Sequence, residues 1–228
     1  MNYTSQKSLT YNPSLTRNIG NKALTIASAL FAIISVLPLI LVISYVLIKG
    51  GSYINLDTLI LEPEPPGDDL LSAGGIGPAI TGTFIMAAIA SIISIPVGVG
   101  GGIYLAEYSK SGNFAKFIRF GSNVLAGVPS IIAGVFIYAI IVSTKILFGS
   151  MFSGIAGGIS LSILMLPTII KTTDEALKLV PNDMRRAAFG IGASKFTMIT
   201  NITLPAAFSS ISTGVLLAIA RAAGETAP

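Results

Sequence analysis

Charged residues vanish from this chain over long stretches and return in short bursts. Five uncharged, mainly apolar runs stand out: residues 23 to 48, 70 to 106, 120 to 144, 146 to 170 and 196 to 220. A helix of about 20 apolar residues crosses the hydrocarbon core of a bilayer, so each run predicts one transmembrane helix. The second run is longer than one span needs, and its opening GGIGPAITGT, residues 74 to 83, predicts an interfacial lead-in. The chain therefore reads as an all-α integral membrane protein, a polytopic bundle of about five transmembrane helices.

The longest patterned polar interruption is DEALKLVPNDMRRAAFGIGASKFTMITNITLP, residues 174 to 205. Pro181 suits the first turn of a short helix, and Gly190 and Gly192 suit its end. Met184, Ala187, Ala188 and Ile191 then fall on one side as an apolar ridge, with Asp183, Arg185 and Arg186 beside it. A second short helix is expected from Ser194, with Pro205 in the first turn of the next span. Two readings fit this pattern: a docking element for another protein, or an amphipathic turn lying on the membrane surface.

Orientation follows from the short loops, because lysine and arginine accumulate on the cytoplasmic side. Lys7, Arg17 and Lys22 precede the first run, Lys110, Lys116 and Arg119 follow the second, and Lys171, Lys178, Arg185, Arg186 and Lys195 follow the fourth. These segments alternate onto one face. The other face receives Lys49 and Lys145, with Asp57, Glu62, Glu64, Asp68 and Asp69. Residues 1 to 22 are thus expected as a cytoplasmic tail, with the stretch 174 to 205 on the same side. The Asn2-Tyr3-Thr4 and Asn201-Ile202-Thr203 glycosylation patterns fall on that side too and are set aside.

Within the runs, Ser94, Gly98 and Gly102 recur every four positions, and Gly154, Gly157, Gly158, Ser160 and Ser162 crowd the fourth. Small residues at this spacing let helices approach closely in lipid, which favours packing over substrate contact. GVGGG does not complete a dinucleotide fingerprint, since Ile103 stands where a third glycine would be. Pro96, Pro129 and Pro167 can kink or unwind their spans.

Composition narrows the chemistry. Of 228 residues 52% are hydrophobic and 11% charged, against about 25% charged in a soluble domain, and mean hydropathy is +0.81. There is no cysteine and no histidine, which excludes disulfides and metal sites built on those ligands. The net charge of +4 is spread between apolar runs without interleaved aromatics, so lipid headgroups, not nucleic acid, are the expected counter-charge. No Gly-Lys dipeptide occurs, which excludes a Walker A phosphate loop. No hydrolytic site is apparent, and a chain of this kind powered by ATP needs a partner to hydrolyse it.

One pair of charges departs from the pattern. Arg221 and Glu225 follow an uncharged run before any polar loop. From a helix start near Pro205, Arg221 lies roughly 24 Å along the axis, in the outer half of the membrane. An intramembrane guanidinium is costly unless paired or wetted, so a substrate-pathway role and a plain Arg221–Glu225 ion pair are both open.

Arg186-Ala187-Ala188, followed by Gly192 and by Ile202-Thr203-Leu204-Pro205, resembles the cytoplasmic EAA motif of bacterial and archaeal ABC importer permeases, with arginine at the usual glutamate position. GGIGPAITGT, IYLAEY, GVPSIIAG, LMLPTIIKTTDEALKLVP and RAAGETAP extend the resemblance from about residue 70 to the end, toward the phosphate-specific PstA branch of that family. The ending GETAP favours this branch over the sister PstC branch.

The resemblance implies a non-enzymatic permease subunit in a prokaryotic cell membrane, amino terminus cytoplasmic, forming half of a pathway for inorganic phosphate. It implies a second, PstC-like permease subunit, a PstB-like ATPase dimer that holds the ATP and magnesium, and an extracytoplasmic PstS-like phosphate-binding protein. This chain would bind no cofactor itself. Met184, Arg185, Arg186, Ala187, Ala188, Ile191 and Gly192 would couple to the ATPase. Arg221 would contribute to the anion pathway and Glu225 would restrain it. Such permeases normally have a sixth span after GETAP, where this chain stops at Pro228, so a truncated product is expected. An ion-driven secondary carrier would need an internal repeat and midplane charges, and a fragment without transport activity is the remaining alternative.

Overall fold

Small side chains decide how the helices meet. The computed structural model describes residues 15–63, 74–109, 112–144 and 153–225. Lys7, Glu64, Asp68, Asp69, Lys110, Lys145, the Asn2 pattern, the first residues of the second and fourth runs and the final Thr226-Ala227-Pro228 lie outside them. The chain forms two units, Met1–Gly75 and Ile76–Pro228.

In the first unit, α1 (Leu15–Gly50) passes through Pro38 without a break, and a short turn at Gly51–Tyr53 leads to α2 (Leu56–Ile60). Asn55 caps α2, its Oδ1 accepting from the Thr58 amide at 2.7 Å. The helix α1 thus takes in residues 15 to 22, which the sequence pattern assigns to the tail.

In the second unit, α3 (Gly77–Ile103) ends in a wide turn, Tyr104–Tyr108. Next come α4 (Asn113–Ala126), α5 (Ser130–Ile137) with a wide turn at Tyr138–Val142, and α6 (Gly154–Leu179). Then follow α7 (Asn182–Gly190), α8 (Lys195–Met198) with a wide turn at Ile199–Thr203, and α9 (Leu204–Ala223). Among the described residues, α1, α3, α6 and the continuous α8–α9 are each long and apolar enough to cross a membrane.

α6 is the hub, packing on α3, α4, α5 and α9. Its seam with α3 uses the four-residue repeat: Ala90, Ser94, Gly98 and Gly102 are buried there. A Cβ on Gly98 would sit 2.7 Å from Ile169 Cγ2, and one on Gly158 2.6 Å from Ile89 Cγ2, so both positions admit only hydrogen. Ser94 donates across the seam to Met165 Sδ at 3.7 Å. Ala218 and Ala222 of α9 close the same core over Leu161, Met165 and Ile169. The glycines of this seam are packing residues.

Three sequence expectations need correction. The third run, 120 to 144, is not one straight span: α4 and α5 meet at 105°. Pro129 causes this, because its ring disfavours helical backbone at the preceding Val128, and Pro129 itself stands extended at φ −60° as the cap of α5. Pro96 and Pro167, by contrast, lie within unbroken helices. The lead-in at 74 to 83 is mostly helix, since α3 starts at Gly77. The polar stretch 174 to 205 also shrinks as a connector: its first residues finish α6, and from Lys195 onward it already belongs to the next helix. Hydropathy marks polar ends as loops, but helices continue beyond the apolar core.

Candidate functional site

Pro181 separates α6 from α7. Val180 before it is forced extended, at φ −65° and ψ 128°, which stops α6, and Pro181 itself caps the nine-residue α7. The other end closes as a Schellman motif. The Ala193 amide donates to Ala188 O at 3.0 Å, the Gly192 amide to Phe189 O at 3.0 Å, and Gly192 is left-handed at φ +83°. Ser194 then starts α8, accepting from the Thr197 amide at 3.1 Å.

The apolar ridge on α7 divides. Met184 and Ile191 are exposed, Ile191 by 85%, and Ala187 and Arg186 are exposed with them, while Phe189 adds a half-open ring. Ala188 does not belong to that face. It is 1% exposed and packs on Met198 and Ile199, with Ile103 and Ala193 alongside. Two adjacent alanines fit the same pattern, and only the tertiary partner decides which one turns inward.

Arg185 also turns inward, and its expected place among the docking residues is corrected. Its Nε and Nη2 donate to Glu107 Oε1 at 3.1 and 2.8 Å. Nη2 also donates to Leu177 O at 2.6 Å, and Nη1 donates to Val180 O at 2.6 Å and to Asn182 Oδ1 at 3.5 Å. The arginine thereby donates to the Leu177 and Val180 carbonyls where α6 ends, Leu177 O also taking the Val180 amide, and holds a carboxylate at the end of α3. Beside it, Lys195 Nζ stands 4.4 Å from the centre of the Tyr108 ring.

A second ionic group joins α4 to α6. Asp174 Oδ2 takes Lys178 Nζ at 2.5 Å and Arg119 Nε at 3.5 Å, and Arg119 Nη2 donates to Leu105 O at 3.1 Å. Sequence reasoning assigns no role to either Glu107 or Asp174. The signals it holds for them are a carboxylate ending an uncharged run and an Asp174–Lys178 pair at helical spacing.

Arg221 and Glu225 line one crevice between α6 and α9, with Leu164, Thr168 and Ala218. The intrahelical pair is not formed: α9 ends at Ala223 with Gly224 as its cap, so Glu225 leaves the helical path, and no ion pair joins the two among the described residues. The crevice holds about 10 Å³, too small for an oxyanion in this conformation. A larger cavity of about 650 Å³ between α3, α5 and α6 is lined by Ile85, Met86, Ile137, Tyr138 and Val142 among small residues, with no charged side chain among the described lining residues.

Residues 98–228 match the family of binding-protein-dependent transport system inner membrane components. A phosphate transport system permease protein PstA of Pasteurella multocida is 37% identical over 212 residues, covering 93% of this chain and 73% of that protein. The PstA of Yersinia pestis is 45% identical over 170 residues, 75% of this chain but 56% of its own length. That of Mycobacterium leprae is 37% identical over 218 residues, 94% and 69%. An inward-facing MetNI methionine ABC transporter shares the fold, with a TM-score of 0.55 at 19% identity over 66% of this chain and 68% of that one. An all-α, multi-pass membrane protein with these relatives belongs to the binding-protein-dependent transport system inner membrane component family, in its PstA branch.

Proposed function

We propose that this chain is the permease subunit of an ABC importer for inorganic phosphate and forms half of its transmembrane pathway. The observation that carries the reading is α7. This short helix stands between two spans, is fixed at both ends by Pro181 and Gly192, and presents Met184, Ala187, Ile191 and Phe189 outward with Arg186 beside them. An exposed apolar face on a rigid mount suits a groove in a partner better than open water. The likeness to PstA permeases supports reading that partner as the ATPase of the system.

In this reading a pair of ATPase subunits binds ATP and magnesium, closes, and displaces α7, which swings the spans between inward- and outward-facing states. A second permease subunit supplies the other half of the pathway, and a phosphate-binding protein delivers substrate from outside. The amino terminus and α7 face the cytoplasm, consistent with the bias of lysine and arginine toward that side. Arg221 offers a multi-donor contact to an oxyanion once the α6–α9 crevice opens, and Glu225 limits how tightly the anion is held.

The test is a tagged pull-down from gently solubilised membranes, with phosphate uptake measured in parallel. An ATPase and a second permease should accompany the wild-type chain, and Ala187→Asp should lose the ATPase while remaining inserted. Association unaffected by Ala187→Asp overturns the docking face, and assembled complexes that take up no phosphate overturn the substrate.

A further inference from the structure

α7 reaches α6 through two residues of chain, Val180 and Pro181, but it reaches α3 only across space. That crossing is made by Arg185 and Glu107, 78 positions apart, with side chains 13% and 4% exposed. We infer that Glu107 is the residue through which α7 moves α3, the Arg185–Glu107 pair acting as a fixed joint that makes α7, the end of α3 and the end of α6 one mechanical body. The inference rests on the importer reading above and adds to it the route by which movement leaves α7.

Four observations carry it. All three nitrogens of the Arg185 guanidinium are engaged, Nε and Nη2 on Glu107, Nη2 also on Leu177 O and Nη1 on Val180 O, so the side chain cannot swing without breaking several charge-assisted bonds together. Lys195, just past α7, lies over the Tyr108 ring in the same wide turn as Glu107, a weaker, exposed second contact between the α7 connector and the end of α3. The remaining contact, Ala188 against Ile103, Met198 and Ile199, is apolar and non-directional, and such contacts resist separation better than sliding. Glu107 also lies in a wide turn, Tyr104–Tyr108, whose relaxed winding lets the carboxylate face α7 while α3 stays packed on α6. Glu107 and Arg185 are therefore positioning residues.

The experiment uses the whole importer, this chain with its second permease and ATPases in vesicles, and measures phosphate uptake and ATP hydrolysis on the same preparation. Glu107→Gln keeps the shape and one acceptor but loses the charge; Arg185→Lys keeps the charge but cannot serve a carboxylate and two carbonyls together. Both should lower uptake per ATP hydrolysed about ten-fold, with subunit composition and hydrolysis unchanged. Uptake per ATP at the wild-type level in either variant overturns the joint.

A bridging arm separates transmission from folding. The chain has no cysteine, so Glu107→Cys with Arg185→Cys introduces its only thiols, and a short bifunctional thiol reagent can replace the ion pair by a covalent link. Bridging should restore uptake per ATP that the unbridged double variant has lost. A bridged complex that remains uncoupled, or loss of assembly in Glu107→Gln and the double variant alike, overturns the inference, since the pair then serves assembly alone. Failure of the importer reading shows separately, as absence of ATP-dependent uptake by the wild-type complex before any variant is made.

Discussion

Gly98 of α3 lies directly against Ile169 of α6, close enough that a Cβ on the glycine would sit 2.7 Å from Ile169 Cγ2. Ile169 is fully buried and cannot retreat, because Ala218 and Ala222 of α9 pack on the same core. The approach of α3 to α6 at this level therefore rests on a missing methyl group.

Gly98→Leu is expected to force α3 from α6 and cost about 1–3 kcal/mol, the usual range for overpacking. Gly100, on another side of the same helix with open space where a Cβ would point, should accept alanine with little change. Thermal unfolding of the detergent-solubilised protein checks both. Equal midpoints for the two variants would remove the seam from the account.

Gly192 closes α7 at φ +83°, a region that costs other residues about 1–2 kcal/mol. No atom lies near its Cβ position, so Gly192→Ala tests backbone conformation without a clash. We expect α7 to fray at its end, seen as faster amide exchange at Ala193 and Gly192, and weaker association with the ATPase. Unchanged exchange at those amides would show that the Schellman closure tolerates alanine.

Ala187 and Ala188 should answer the same substitution differently. Ala188→Asp buries a carboxylate against Met198 and Ile199 and should cost about 3 kcal/mol or more, visible as lost protein in the membrane. Ala187→Asp places the same charge on an exposed face, and the chain should insert normally and lose only its ATPase. Equal insertion of both variants would contradict the inward direction of Ala188.

That contrast shows what was legible in the sequence. The spans α1, α3, α6 and α8–α9 follow from uncharged length alone, because a bilayer sets a minimum that few other structures need. The caps of α7 follow from local backbone chemistry at Pro181 and Gly192. Direction does not. Hydropathy over 120 to 144 is blind to the 105° bend at Pro129, although the proline itself was visible. Which of two alanines faces inward, and that Arg185 meets Glu107 rather than a partner, depend on contacts far apart along the chain, and a single sequence does not pair them.

Asp174 is expected to matter for stability more than for coupling. It is the shared acceptor of Arg119 from α4 and Lys178 of its own helix, with its own side chain 9% exposed. Lys178 is about half exposed and contributes little, so the link to α4 is the larger part. Asp174→Ala should destabilise the protein by about 1–3 kcal/mol, with uptake per ATP unchanged in whatever assembles. A coupling defect in assembled Asp174→Ala complexes would move this cluster into the transmission path beside Glu107.

Arg221 tests the pathway. It stands on the last turn of α9 in a crevice too small for phosphate, so the pathway role proposed for it requires a conformation in which α9 has moved from Leu164 and Thr168. Arg221→Ala should leave the assembled complex and its ATPase intact and lower phosphate uptake about ten-fold or more, while Arg221→Lys should restore part of it, because lysine supplies charge without the planar fork. The Arg221 stem borders Leu164 and Met165 of α6, and loss of that packing alone would lower the unfolding midpoint without an uptake defect per assembled complex. Normal uptake by assembled Arg221→Ala complexes would therefore make the residue structural and leave the oxyanion contact to the second permease.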